Sequence, residues 1–380
     1  MLHKWIKYFS AFILIPHLLW SQDDATLDEW LFNDDIILEE RLWDRDINLR
    51  VSTGYSDNVL LASVFEQGSA FIGAEVEMFT WRKPQKGQVD IHLYLDAMQI
   101  HYFDVDGIDN ERLVISQGQI SNRLNERWTV GASIQGSYVD QVYDISPSGF
   151  ELDTTTLEAV DLKFTPFIKL KYNNGYFARV AVDLRRDFFR DSMFDFTEPA
   201  LEFYAGKRFD QGSSIRFDYA YAYRFFDHRE QRNTSGFPLR GTSLEWESHT
   251  LDGRWEHYWN KDKSIQNRTK IGFKWNLDNG DGYYDYSLYK VSESIIFYLN
   301  KWVIEGEFAY KYYDYTIQTV SFDDPNGRYL SQMNTMFKVE RKVSENWKLY
   351  FEYQRERSHS NRTEDKYIAN RALIGIDWLF

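Results

Sequence analysis

The sequence predicts an all-β fold, a transmembrane antiparallel up-and-down β-barrel of about sixteen strands. Three observations predict it. Apolar and polar residues alternate with a period of two from Ile47 to the last residue, the alternating segments are joined in turn by short and by long polar connections, and the only long apolar run lies at the N-terminus.

Composition narrows the class of protein. The chain has 380 residues, a formal net charge of -14, 18% aromatic residues and no cysteine. A mean hydropathy of -0.54 with a single long apolar run excludes a bundle of membrane helices, because each spanning helix needs about 20 mostly apolar residues. Without cysteine there is no disulfide framework and no thiolate metal site. We expect no cofactor, and the acidic charge argues against nucleic acid as a partner.

Residues 1–21 predict a cleavable signal peptide. Lys4 and Lys7 precede an apolar core that runs from Tyr8 to Trp20, and the small Ser21 follows it. We expect cleavage near Ser21, and the short core disfavours the alternative of an uncleaved membrane anchor.

Residues 22–46 form an acidic segment, which we expect in the periplasm. Apolar residues such as Trp30 and Leu31 lie between its many carboxylates, so one or two amphipathic helical turns are predicted. Two interpretations stay open: a plug or partner-binding arm, and a leader that keeps the precursor soluble. The predicted barrel occupies residues 47–380.

The alternating segments have two chemically different faces. In one of them Ala178, Val180 and Val182 share a face, while Arg179 and Asp183 share the other. The segments around 243–259 and 283–299 alternate less cleanly. The sixteen segments begin near residues 47, 70, 88, 112, 126, 156, 175, 197, 213, 243, 265, 284, 301, 328, 346 and 366.

The length and even number of these segments favour a membrane barrel. Most have ten or more residues, which suits a tilted membrane strand and exceeds the five or six typical of soluble sheets. An even count returns both termini to one side, which we expect to be the periplasm, with short periplasmic turns and longer external loops.

Aromatic residues recur beside the short turns, as Trp128, Tyr176, Trp302 and Trp347 do. Aromatic side chains favour the boundary between membrane and water, so this recurrence predicts an interfacial girdle. The expected location is therefore the outer membrane of a Gram-negative bacterium, with outer-membrane lipid as a partner.

The chain ends on one face of its last alternating segment, with Ile376, Trp378 and Phe380. This ending looks like the terminal signal with which barrel insertion machinery recognises outer-membrane proteins. The insertion machinery is accordingly a second expected partner.

The first segment carries the run Gly54-Tyr55-Ser56-Asp57-Asn58-Val59. It resembles the opening of outer-membrane β-barrel porins in which a Gly-Tyr-x-x-Asn-Val run leads into the first external loop. The resemblance covers this run and the overall architecture. It implies a pore-like barrel and transfers no substrate and no site residue.

Charged residues on the polar faces are the candidates for lining a lumen. Basic ones concentrate in the middle segments and acidic ones later, which predicts basic and acidic walls that face each other. The candidates are Lys163, Lys169, Arg179, Asp183, Arg185, Arg216, Asp218, Arg224, Glu305, Glu307, Lys311 and Glu352. The predicted function is a porin-like channel for small hydrophilic solutes. The alternative is a non-conducting scaffold or assembly component that binds a periplasmic or surface partner.

The connection from Gln141 to Thr155 is the best candidate for a loop that folds inward and narrows the pore. Asp140, Asp144 and Glu151 would supply its charge. Most loops of this kind cover only the outside of a barrel.

An enzyme in the barrel wall is the rival class, and the sequence disfavours it. Ser248 and His249 are neighbours and so point to opposite faces of a strand. His249 and His257 share a face but lie about 27 Å apart along it, too far to share one metal ion. No Gly-x-Ser-x-Gly elbow or phosphate-binding loop occurs.

Overall fold

The described residues fold into a closed barrel of sixteen strands. The computed structural model describes residues 43–82, 89–144, 154–210, 212–321 and 324–380, so the predicted signal peptide and residues 22–42 lie outside the described residues. Every strand pairs antiparallel with its neighbours in the chain, and β1 pairs with β16. The predicted antiparallel up-and-down barrel is confirmed.

The predicted strand starts lie within two residues of the observed ones, except for the first. The strands are β1 (Trp43–Ser56), β2 (Ser69–Arg82), β3 (Asp90–Tyr102), β4 (Asn110–Arg123), β5 (Trp128–Asp144), β6 (Thr154–Lys171), β7 (Tyr176–Phe189), β8 (Phe196–Arg208), β9 (Ser214–Phe226), β10 (Glu245–Tyr258), β11 (Ile265–Asp278), β12 (Tyr286–Leu299), β13 (Trp302–Thr319), β14 (Gly327–Lys342), β15 (Trp347–Ser360) and β16 (Tyr367–Leu379). Single 3₁₀ turns occur at Asn173–Gly175 and Ser192–Phe194.

The boundary between the acidic segment and the barrel was predicted four residues too late. Strand β1 starts at Trp43, and the residues from Trp43 to Asp46 pair with Arg82 to Phe79 of β2. The alternation is hidden there because both faces carry charge in the run Asp44-Arg45-Asp46. Charges on both faces are compatible with the end of a barrel strand, where the outer face also reaches water.

Each end of the barrel has its own kind of connection. One end, here the turn end, carries both barrel termini and the connections 83–89, 124–127, 172–175, 209–213, 259–264, 300–301 and 343–346. The other end, here the loop end, carries 57–68, 103–109, 145–153, 190–195, 227–244, 279–285, 320–326 and 361–366. The longest connections, 57–68 and 227–244, lie at the loop end and the shortest, 300–301, lies at the turn end, but the lengths overlap: 190–195 and 361–366 at the loop end are no longer than 259–264 at the turn end.

The two faces of the sheet are sorted by polarity. On β7, Val180, Val182 and Leu184 are 43–51% exposed, whereas Arg179 and Asp183 are 4–5% exposed. The concave face of a closed sheet crowds its side chains, so the buried polar set is the inner face and the exposed apolar set is the outer face. A soluble β-protein has the opposite arrangement, with its apolar face in a core. Among the described residues, no helix is long and apolar enough to cross a membrane.

Glu293 is the main exception on the outer face, and its neighbours explain how it is held there. Asn267 and Thr269 of the adjacent strand β11 also face outward, and both donate hydrogen bonds to its carboxylate, the one from Thr269 at 2.6 Å. The weak alternation predicted around 283–299 thus reflects a paired polar group in a regular strand.

A proline shapes the inner face of β6. Pro166 interrupts the β6–β7 ladder, where the regular pairing stops at Phe164 and resumes at Phe167, because proline has no N–H to donate. Beside this gap the Thr165 hydroxyl donates a 2.6 Å hydrogen bond to Asp183, which joins the two strands through side chains.

Candidate functional site: the inner face

The structure places all twelve candidate lumen residues on the inner face. They are spread over five strands and do not form one cluster: Lys163 and Lys169 on β6, Arg179, Asp183 and Arg185 on β7, Arg216, Asp218 and Arg224 on β9, Glu305, Glu307 and Lys311 on β13, and Glu352 on β15. The period of two identified the face correctly because it depends only on the pleat of each strand.

A row of alternating charges crosses the junction between the first and last strands. Glu75, Arg50, Asp377 and Lys348 occupy paired positions on β2, β1, β16 and β15. Arg50 lies 2.9 Å from Glu75 and 3.8 Å from Asp377, and Lys348 lies 3.6 Å from Asp377. Each of these four residues is less than 9% exposed. Opposite charges therefore neutralise one another inside the closed sheet.

The row continues onto β14 and branches on β2. Glu340 accepts from Lys338 at 2.8 Å and lies 3.8 Å from Lys348, and Glu77 lies 3.5 Å from Arg50. We call the set Glu75, Glu77, Arg50, Asp377, Lys348, Glu340 and Lys338 the seam ladder. Sequence reasoning missed most of the seam ladder. Lys348 nevertheless lies between Trp347 and Leu349, two apolar residues of the outer face, and this is the same alternation that identified the twelve candidates.

The opposite part of the inner face is also internally paired. Arg185 contacts Asp161 and Asp187, each at 2.7 Å, and Arg224 contacts Glu198 at 2.7 Å. Arg216 contacts Asp218 at 2.8 Å. The predicted separation into a basic wall and an acidic wall is therefore wrong. Each wall carries both signs: Asp161 and Glu198 lie on strands next to those of their arginines, and Asp187 and Asp218 lie on the same strands as theirs.

Loops at the loop end pack against the inner face. Val59 from the connection 57–68 is 5% exposed and joins Phe71, Met98 and Tyr102 in one cluster, with Val105 from the connection 103–109 packed on it. These side chains occupy the loop end of the barrel on the β1–β4 side. They narrow the interior there.

A second loop is fixed on the β8–β10 side by an arginine. The Arg229 guanidinium lies over the rings of Phe226, Trp246 and Tyr284 at 5.2, 5.5 and 4.4 Å. Burial among these rings lowers the pKa of Arg229 to about 10. The connection 227–244 is thereby held against the inner face by cation–π contacts.

Of the three charged residues of the predicted constriction, only Asp140 has a described side chain. Residues 145–153, which include Glu151, and the side chain of Asp144 lie outside the described part of the chain. Asp140 is on the outer side of β5 and lies 3.7 Å from Arg112. It cannot narrow the interior, because its even position in β5 shares the outer face with Ile134.

The histidines singled out in the sequence lie on the outer face. His249 contacts Tyr219 at 2.8 Å and Glu247 at 3.3 Å, and Ser248 points inward on the same strand. His257 lies 3.2 Å from Ser213 near the turn end. The two histidines have separate partners at different heights on β10.

The three residues of the expected insertion signal form part of an aromatic patch on the outer face. Trp378 stacks on Trp347 of β15 with ring centres 4.9 Å apart, and the Phe380 ring is 4.2 Å from Trp378. Ile376 is 45% exposed and Phe380 57%. The Phe380 backbone N–H donates to Ile47, which closes the turn end between the last and first strands.

The Gly-Tyr-x-x-Asn-Val run has a definite structural role. Asn58 is 1% exposed, donates to the carbonyls of Ala62 and Ile368, and accepts from the Ala62 N–H. A Cβ on Gly54 would lie 2.3 Å from the Ala372 carbonyl oxygen. The run thus shapes the first loop and lets β1 lie close to β16.

One of the solved structures similar to this chain aligns with a TM-score above 0.5 and has the same fold. OccK9 (OpdG) of Pseudomonas aeruginosa aligns with a TM-score of 0.51 and 7% identity over 89% of this chain and 99% of that one. OccAB1 of Acinetobacter baumannii aligns at 0.47 and 10% over 89% and 96%, and a BenF-like porin of Pseudomonas fluorescens Pf-5 at 0.47 and 7% over 89% and 99%. No protein-family model matches the chain, and no curated protein matches it.

Proposed function

We propose that the protein is an outer-membrane channel of the porin type that admits small hydrophilic solutes. The observation that carries the proposal is the inverted barrel: the outer face is apolar, and the inner face is lined by buried charges such as Arg50, Glu75, Arg179 and Glu352. An apolar exterior is stable only in lipid, and a closed sheet leaves no unpaired backbone edge there.

The paired charges suit a polar but nearly neutral lining. Ion pairs such as Arg224 with Glu198 and Lys290 with Asp252, both under 3 Å, leave hydrogen-bonding groups along the inner face without one dominant sign. Such a lining excludes lipophilic molecules, because they would displace water from the charged groups without offering hydrogen bonds in its place. We therefore expect weak selectivity between simple cations and anions.

The orientation in the membrane is part of the proposal. The barrel termini lie at the turn end, and short turns with both termini are typical of the periplasmic side of such barrels. The aromatic patch of Trp347, Trp378 and Phe380 at that end would then sit at the inner boundary of the outer membrane.

Conductance in planar lipid bilayers tests the proposal. Protein refolded in detergent should produce discrete current steps, with a cation-to-anion permeability ratio close to one. Deleting residues 22–42, which precede β1, tests whether the acidic segment closes the pore. Steps that appear only after the deletion would support a plug within the channel. If neither form produces current steps, the channel proposal is overturned. The alternative, a non-conducting scaffold that binds a partner, is then favoured.

A further inference from the structure

Two neighbouring arginines lie on the outer face of β15 near the loop end. Arg355 and Arg357 are exposed, and they follow Phe351 and Tyr353, two apolar residues of the same face. Residues two apart on a strand have Cα atoms about 7 Å apart, and their side chains point to the same side of the sheet. The two guanidinium groups therefore stand side by side on the face that elsewhere meets lipid.

Neither guanidinium has an ion pair among the described residues. The positions paired with these arginines on β14 and β16 are uncharged: Thr335, Met333, Asn370 and Ile368. Glu356 lies between the two arginines in sequence, but it points inward and accepts a hydrogen bond from Tyr367. The described part of the chain thus leaves the charge of both arginines unbalanced.

Other exposed arginines at the loop end are balanced within the chain. Arg112 lies 3.7 Å from Asp140, and Arg190 lies 3.7 Å from Glu158. The absence of a carboxylate beside Arg355 and Arg357 is therefore not general at this end of the barrel. Their counter-charge has to come from a molecule outside the barrel wall.

The height of the two arginines on the wall indicates which molecule supplies it. From Trp347 at the turn end to Arg355 is about 27 Å along β15 and, for a strand tilted by about 40°, about 20 Å in height; the same reasoning puts Arg357 about 25 Å above Trp347. The apolar band of an outer-membrane barrel is about 25 Å tall. Both arginines therefore lie at its outer boundary, where a long stem stays in lipid and the charged head reaches the headgroups.

We infer that Arg355 and Arg357 form a binding site for the phosphate groups of a lipid in the outer leaflet. A guanidinium group matches phosphate because its N–H groups donate two parallel hydrogen bonds to the phosphate oxygens. The acyl chains of the lipid lie against Leu349, Phe351 and Ile374, which are 40–58% exposed below the arginines. The inference uses the proposed orientation, with the loop end outward, and does not depend on conductance.

Native mass spectrometry of the full chain, released from detergent micelles, tests the inference. The probe is lipid A, an acylated glucosamine disaccharide with two phosphates, and the comparison lipid is the same molecule without its phosphates. Lipid A should bind at least about ten-fold more tightly, because only its phosphates can pair with the two arginines. Excess inorganic phosphate should not displace it, since free phosphate has no acyl chains to pack on the wall. Equal binding of the two lipids, or displacement by inorganic phosphate, would overturn the inference.

A double variant assigns the binding to these two residues. Arg355→Gln with Arg357→Gln should weaken lipid A at least about ten-fold and leave the dephosphorylated lipid unchanged. Arg355→Lys with Arg357→Lys keeps both charges and should retain more of the affinity than the glutamine pair. The matched control is Arg112→Gln with Arg190→Gln, which removes two exposed arginines that already have carboxylate partners. Equal weakening by the control would mean that charge anywhere at this end attracts the lipid, and the site would be refuted.

The same spectra report the oligomeric state. If the glutamine pair separates an oligomer while the affinity for lipid A stays the same, the arginines contact a second copy of the chain and the inference is overturned. The outcome is distinguishable from that of the channel test. Lipid A binding that depends on the arginines, in a protein that does not conduct, would refute the channel alone, whereas conductance with unchanged lipid binding in the double variant would refute the site alone.

Discussion

Arg50 and Asp377 face each other across the junction of the first and last strands, with Arg50 Nε 3.8 Å from Asp377 Oδ1. The contact joins the two ends of the barrel from inside, and Lys348 approaches the same carboxylate from the other side at 3.6 Å. The chain closes its sheet with a charge row as well as with backbone hydrogen bonds.

Replacing Arg50 should destabilise the barrel strongly. Arg50→Met leaves Glu75, Glu77 and Asp377 without their shared cation, and breaking a buried ion pair from one side costs about 3–5 kcal/mol. Urea unfolding in micelles, followed by tryptophan fluorescence, measures the loss. The control is Arg190→Gln, whose exposed pair with Glu158 should contribute under about 1 kcal/mol. Equal losses for the two variants would contradict the role of the ladder.

Gly54 should resist even the smallest side chain. In Gly54→Ala the new Cβ would lie 2.3 Å from the Ala372 carbonyl oxygen and 2.6 Å from the Phe71 ring, so β1 and β16 would have to separate. We expect a loss of about 1–3 kcal/mol, measured in the same unfolding titration. Gly306→Ala is the matched control on β13, since no atom lies within 4 Å of its added Cβ. The prediction is wrong if both alanine variants unfold at the same urea concentration.

Asn58 should hold the first loop in place. Asn58→Ala removes the two hydrogen bonds that its amide donates and the one that its carbonyl accepts, a loss of about 1–3 kcal/mol. Because Phe65 is 88% exposed in the same loop, chymotrypsin should cleave there faster in the variant. Asn110→Ala, at a half-buried asparagine on β4 that accepts a hydrogen bond from Gln99, should leave the cleavage rate unchanged. An unaltered rate in Asn58→Ala would refute this role.

The terminal aromatic should matter more for assembly in the cell than for stability. Phe380→Ala removes a ring that is 57% exposed, so the free energy of unfolding in micelles should fall by only about 1 kcal/mol. If the insertion machinery recognises the ring, the amount of folded protein in the outer membrane of an expressing bacterium should fall several-fold. Phe337→Ala, an outer-face ring away from the terminus, should change that amount little. Similar yields for both variants would remove Phe380 from the proposed signal.

The sequence by itself determined the strands and their faces. The alternation of Val180 and Val182 with Arg179 and Asp183 depends only on the pleat, so it could be read one segment at a time, and the polar connections gave the strand count. The prediction from sequence failed at Trp43–Asp46. Both faces of the strand carry charge there, so no alternation of apolar and polar residues marks the strand.

Only the tertiary structure decided which charges meet. Arg50 and Asp377 come from the two ends of the chain, and their pairing follows from the register in which β1 closes on β16. The register between β6 and β7 likewise brings Arg185 to Asp161 on the neighbouring strand. Charge pairing depends on distances of a few ångströms between strands, because the Coulomb energy and hydrogen bonding fall off with separation. Composition along one strand carries no information about that distance.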